Sequence, residues 1–227
     1  MISLTISIIV SIVLMKFKEK TVIQTERENQ IVNLYVDIMG VSALLKSMRG
    51  ILHMNFKKLF QSDISRYGNL RRGYIKRFHF YFRKCQTCTN PIIRRLYRFI
   101  FGRIAIKRGL EISPNTKIGI GLYLGHAFNI TINEKTIIGD NCNIHKGVTI
   151  GQENRGERKG TPVIADKVWI GINATVVGNI TIGEDVLIAP NAYVNCNVPS
   201  HSVVYGNPCI IKARCNATEG YINNVCK

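Results

Sequence analysis

Acidic residues are scarce in this chain of 227 residues: 14 Asp and Glu stand against 31 Lys and Arg, a formal charge of +17. The shortage is local. Between Asn55 and Leu110 fifteen basic residues meet one acid, Asp63, so this stretch carries an excess of fourteen charges and the remainder only three. Such a concentration suits a phosphate-rich partner, either an anionic membrane surface or a nucleotide-bearing substrate, or else a solvated helix face. No recognised nucleic-acid motif accompanies it, so nucleic acid is not an expected partner. Long apolar runs are missing too. The N-terminal run MISLTISIIVSIVLM has 15 residues broken by serine and threonine. It is short for a membrane-spanning helix and lacks the basic flank and cleavage site of a signal peptide. Residues 1–53 read as an anchor-like extension, a signal-like segment, or a misassigned start ahead of Met54.

Cysteines number seven but form no framework. Cys85 and Cys88 make a lone CxxC, with His79 as the one further ligand nearby, and no second pair has zinc spacing. No metal is expected. CQTCTNP reads instead as a loop in which Asn90 caps a helix that opens on Pro91. Cys142, Cys196 and Cys209 read as reduced residues, which fits a reducing, cytoplasmic compartment.

What the chain has in abundance is a period of six. Hexads open at Ile112, Ile118 and Leu124; after a two-residue slip at Ile132, Ile138, Ile144 and Ile150; and after a longer gap at Ile164, Ile170, Val176, Ile182, Ile188 and Val194. The fifth position is small or apolar, and the fourth is often Asn, Gly or Asp. Six does not match the 3.6-residue helical period, nor is this simple alternation. A large aliphatic every six residues fits a short strand followed by a corner, and Asn, Gly and Asp tolerate the left-handed backbone that tight corners require. Three strands and three corners close one coil of about eighteen residues, and stacked coils build a continuous core. The expected fold is mainly β: a parallel β-helix over 111–212, which in known hexapeptide proteins is a left-handed parallel β-helix, preceded by a basic helical segment over 54–110 and followed by a tail over 213–227. The gap after Ile150 places an inserted loop at 151–163, and such loops often shape binding sites. In the helical segment, PIIRRLYRFIFGRIAIKRG combines an apolar stripe with six basic residues. It reads as packing on the base of the β-helix, or as lying on a membrane surface.

EISPNTKIGIGLYLGH, INEKTIIGDNCNIHKGVTIG, VWIGINATVVGNITIG and the closing VPSHSVVYGNP together resemble the serine acetyltransferase-like branch of the hexapeptide-repeat acyltransferases. Within that branch the chain looks most like the shorter members associated with surface-polysaccharide synthesis. The resemblance implies a homotrimer that takes acetyl-CoA in the groove between neighbouring β-helices. It assigns His126 as the catalytic histidine and Glu111 as its acidic partner. Gly171, Ile172, Ala189 and Pro190 match the corners along the pantetheine arm, and Lys212, near the end of the matched region, is expected to meet a cofactor phosphate.

The chemistry such a pair performs is general. A histidine imidazole can take the proton from a hydroxyl as it attacks a thioester carbonyl, and a carboxylate on the other ring nitrogen fixes the tautomer. The chain departs from the serine-specific pattern on the acceptor side. Gly125 stands where those members have aspartate, and Gly160-Thr161 stand where they have Arg-His. Asp63 is left as one partner for a charged acceptor. These departures point to a sugar hydroxyl as acceptor, with L-serine as the alternative, and with a catalytically silent interaction solenoid as the reading from another class. His145 is a rival base, and Trp169 reads as an exterior packing residue between subunits. The expected location is cytoplasmic, with peripheral association at the inner face of the membrane.

Overall fold

A computed structural model describes residues 55–68 and 73–226. The N-terminal run and the three readings of residues 1–53 lie outside the described residues.

The thirteen hexad-opening residues, Ile112 through Val194, are all buried. They stand on short strands that stack into three parallel sheets. Sheet A holds β1 (Leu110–Ile112), β4 (Ile130–Ile132), β7 (Thr149–Gly151), β10 (Thr175–Val177) and β13 (Tyr193–Val194). Sheet B holds β2 (Lys117–Ile118), β5 (Ile137–Ile138), β8 (Val163–Ile164) and β11 (Thr181–Ile182). Sheet C holds β3 (Tyr123–Gly125), β6 (Asn143–His145), β9 (Trp169–Ile170), β12 (Val186–Ile188) and β14 (Ser202–Tyr205), closed by the antiparallel β15 (Ile210–Ala213). The chain runs A to B to C and back, a parallel β-helix of the kind the hexads predict.

The register reproduces the spacing in the sequence. Ile132 pairs with Ile150 and Val176 with Val194, eighteen residues apart. Leu124 pairs with Ile144 across a step of twenty, the slip, and Ile144 with Ile170 across twenty-six, the insertion. Fourth-position Asn141, Asn173, Asp185 and Asn191 adopt positive φ between 55° and 60°, as their short side chains allow.

Among the described residues three helices precede the solenoid: α1 (Phe56–Ser65), α2 (Gly73–Thr87) and α3 (Pro91–Ile106). Asn90 caps α3 by accepting from the amides of Ile92 and Ile93 at 3.0 and 3.1 Å. The helices meet the first coil through buried polar groups. Arg83 donates to the carbonyls of Ile118 and Gly119, and Leu124 N–H donates to Tyr67 Oη at 2.7 Å. Two members of the basic stretch, Arg66 and Arg83, are therefore interior rather than solvated or phosphate-facing. The outer side of α3 is different. Ile92 is 80% exposed and Ile106 79%, with Leu96 and Phe99 between them, among exposed Arg94, Arg95, Arg98 and Arg103. No helix among the described residues is long and apolar enough to cross a membrane.

The C-terminal segment folds back beside sheet C. The amides of Ala217 and Thr218 donate to Asp185 at 3.0 Å each. Asn143 Nδ2 donates to the Tyr221 carbonyl at 3.1 Å, and Cys226 N–H to Asn141 Oδ1 at 2.8 Å.

Candidate active site

The corner from sheet C back to sheet A forms a column down the solenoid, and five of the ten site residues singled out in the sequence stand on it. On the first coil it is His126; below, in order, come Lys146-Gly147, Gly171-Ile172, Ala189-Pro190 and Gly206. Backbone bonds stack these corners. Lys146 N–H donates to the Gly125 carbonyl at 2.9 Å, Asn173 N–H to Lys146 at 3.0 Å, and Asn191 N–H to Ile172 at 2.9 Å. Gly171 leaves no room for a side chain: a Cβ there would lie 2.6 Å from Pro190 N.

The two-residue slip falls at this column. Lys146 and Gly147, adjacent in sequence, donate to Gly125 and Phe128, so His126 and Ala127 are the extra pair and His126 is carried on a bulge. It is exposed, with φ of 52°. Non-glycine residues in that region are uncommon and gather at functional sites. Glu111 points outward from the middle strand position of β1 and accepts from Thr131 Oγ1 at 3.3 Å. No hydrogen bond joins Glu111 to His126 among the described residues. Lys212 stands on β15, the strand that follows the Gly206 corner, opposite Val203 and with Nζ 5.7 Å from the Tyr205 ring.

The acceptor-side residues are placed otherwise than the sequence suggested. Asp63 is fully buried, and its carboxylate is occupied. Arg83 binds it through Nε at 2.8 Å and Nη2 at 3.0 Å, Leu122 N–H donates at 3.0 Å, and His79 Nδ1 lies 3.1 Å away. Burial alone would raise its pKa, but the charges of Arg83 and His79 and their hydrogen bonds outweigh that and hold it below the usual carboxylate range. Asp63 thus ties helices to solenoid and offers nothing to an acceptor. Thr161 and the inserted loop leave from the corner between sheets A and B, where the Arg158 carbonyl accepts from Asn179 N–H at 2.9 Å. Within one chain that corner and the His126 corner lie at opposite edges of sheet A.

Gly125 has a local reason to be glycine. A Cβ built there would fall 2.3 Å from Nδ1 of His145 on the next coil. The imidazole of His145 fills the space that a side chain at position 125 would take. Burial first, and then the charge of His126, push the His145 pKa down to about 4. It is therefore neutral at neutral pH and a weak general base. Trp169 packs within the chain, 4.7 Å from the His145 ring and 5.0 Å from Tyr221, and is half-buried there. The coupling of Gly125 to His145 joins residues twenty apart through a non-integral coil step. The cover supplied by the tail has no periodic signature at all.

Comparison with known proteins agrees with this architecture. The family model for bacterial transferase hexapeptide repeats (six repeats) matches residues 161–196. The chain is 36% identical to serine acetyltransferase of Helicobacter pylori over 127 residues, covering 54% of this chain and 74% of that protein. The chain belongs to the serine acetyltransferase-like branch of the hexapeptide-repeat acyltransferases. The family likeness extends to serine acetyltransferase of Synechococcus elongatus, 37% identical over 118 residues, 52% of this chain and 47% of that one. The chain thus spans about half the length of that relative. Among solved family structures, Neisseria gonorrhoeae serine acetyltransferase in complex with serine matches with a TM-score of 0.55 at 27% identity, covering 68% of each chain.

Proposed function

We propose that this chain is an acetyl-CoA-dependent O-acetyltransferase whose acceptor is a sugar hydroxyl. Membership of the family supports the reaction, and one observation carries the acceptor: the imidazole of His145 fills the space beside Gly125. A site for free serine should pair an ammonium and a carboxylate. Here the space beside the catalytic histidine holds a neutral ring, and Asp63 is sequestered. The names of the relatives favour L-serine, which is the second reading.

In the proposed reaction His126 takes the proton of the acceptor hydroxyl as its oxygen attacks the thioester carbonyl. The carbon–sulfur bond breaks, the ester carbon–oxygen bond stays, and the proton passes from His126 to the departing CoA thiolate. Amides of the bulged corner are suited to stabilising the oxyanion. Glu111, one strand from this corner, orients the imidazole once the hydroxyl of Thr131 yields it. Gly171, Ile172, Ala189 and Pro190 offer the donor a continuous backbone edge, with Lys212 at its far end. The His126 corner and the inserted loop occupy opposite edges of sheet A. A site that includes both needs a second copy, which supports the homotrimer. The exposed apolar and basic side of α3 suits a cytoplasmic enzyme that meets an anionic membrane.

The test is release of CoA thiol from acetyl-CoA with L-serine and with a panel of sugars and nucleotide sugars. His126→Ala should lose about 10²- to 10⁴-fold in turnover. Turnover of serine alone would overturn the sugar acceptor, and unchanged turnover in His126→Ala would overturn the catalytic assignment.

A further inference from the structure

The outer face of sheet C carries an aromatic ladder that the reaction above does not use. Tyr123, His145 and Trp169 stand on successive coils, with Tyr123 and His145 ring centres 6.2 Å apart and His145 and Trp169 4.7 Å apart. Tyr67 from the helical segment stacks on Tyr123 at 4.5 Å, and Tyr221 of the C-terminal tail meets Trp169 edge-on at 5.0 Å. Between ladder and tail lies a cavity of about 240 Å³, lined among others by Arg66, Asn143, Asn223 and Asn224. It is smaller than the roughly 300–1,000 Å³ of sites for drug-sized ligands, which suits one small ring.

Two of its lining residues hold polar atoms that lack a partner. Arg66 Nε and His145 Nε2 are out of contact with solvent and make no hydrogen bond among the described residues. Arg66 is 3% exposed. Its other nitrogens donate to the Asn141 carbonyl at 3.1 Å, to Asn141 Oδ1 at 3.2 Å and to Asn143 Oδ1. All three are neutral oxygens. Buried polar groups without partners are rare, because leaving one unpaired costs its full desolvation. Both unpartnered atoms belong to residues that line this cavity.

A sugar ring presents apolar C–H faces to aromatic rings and hydroxyl edges to amides and donors, and this cavity offers both kinds of wall. Among the described residues its lining holds no carboxylate to pair the ammonium of free serine. Its His145 wall lies against Gly125, next in sequence to His126, so the cavity adjoins the catalytic corner.

We infer that the cavity between sheet C and the C-terminal tail is an acceptor subsite that holds one sugar ring. The inference rests on the sugar-acceptor reading and gives it a location.

Trp169 is the single tryptophan of the chain, so intrinsic emission reads the cavity directly. The full chain is titrated with neutral hexoses, N-acetylhexosamines, uronic acids and L-serine, and the same compounds are assayed as acceptors. At least one sugar should change Trp169 emission saturably, and L-serine should not. Tyr221→Ala should raise the Kd and the KM for that sugar about tenfold, as loss of one aromatic contact implies, with kcat and melting temperature kept. Asn223→Ala, on the exposed tail and without a side-chain hydrogen bond among the described residues, is the second variant and should shift KM the same way. Sugar acetylation with silent Trp169 emission would overturn the subsite and leave the sugar acceptor standing. Saturable sugar binding with acetyl transfer to L-serine alone would overturn the acceptor reading and the cavity's acceptor role. Unchanged Kd and KM in both variants would overturn the location.

Discussion

The solenoid and its helical cap are held together by opposite means. Inside the solenoid, thirteen equivalent positions carry thirteen buried Ile, Leu or Val residues, and what each coil contributes the next repeats. At the joint with the cap nothing repeats. One carboxylate, Asp63, binds Arg83, the Leu122 amide and His79; one guanidinium, Arg66, reaches Asn141 and Asn143; one hydroxyl, of Tyr67, receives Leu124. A periodic apolar core spreads its stability over many similar contacts. A buried polar joint concentrates it, because removing one member leaves the others charged and unpaired in the interior.

The largest test of that contrast is Asp63→Ala. It strands Arg83 in the interior and should destabilise the attachment of the helices by about 3–5 kcal/mol. Hydrogen exchange should show α1 and α2 losing protection while strands β7 to β14 keep theirs; equal loss everywhere would mean that cap and solenoid form one cooperative unit. The same joint can be broken by acid. The Asp63 pKa is lower folded than unfolded, so its contribution is complete above the ordinary carboxylate value near 4. It is lost as pH falls below that value toward the folded one. Cap unfolding should therefore begin in that window, and Asp63→Asn should remove this pH-dependent component.

A smaller effect is expected at the seam between periodic and singular. Gly125→Asp drives a side chain into the His145 ring and should cost about 1–3 kcal/mol as overpacking, with a change in Trp169 emission as His145 moves. An unaltered emission spectrum would show that the ring is not where the contact places it. Smallest is a change within the repeat itself. Ile182→Val should cost about 0.5–1.5 kcal/mol by chemical denaturation, and Ile144→Val should cost the same within error. A marked difference between the two would deny that the coils are equivalent.

This contrast also explains how far the sequence could be read. The β-helix was legible because a side chain buried every six residues leaves a periodic trace, and the twenty- and twenty-six-residue steps appear in the register where the slip and the insertion stand. His126, Gly171 and Pro190 share one corner because that same count places them there. Asp63 was misread because its partners lie far off in sequence, and a buried ion pair has no local signature. His145 looked like a spare base because its contact with Gly125 exists only between coils. The C-terminal tail, held by bonds to Asp185, Asn143 and Asn141, follows no period at all.

The bulge at His126-Ala127 has a consequence of its own. A regular solenoid offers the same corner on every coil and so cannot tell one level from another. Two extra residues shift the phase of the chain once, at one level, and the displaced pair is where the histidine stands. The position of the site is thus written as an interruption of rhythm. Moving those two residues one coil further along should move the histidine by one strand spacing, about 4.8 Å, with all thirteen hexad-opening residues of the core left in place.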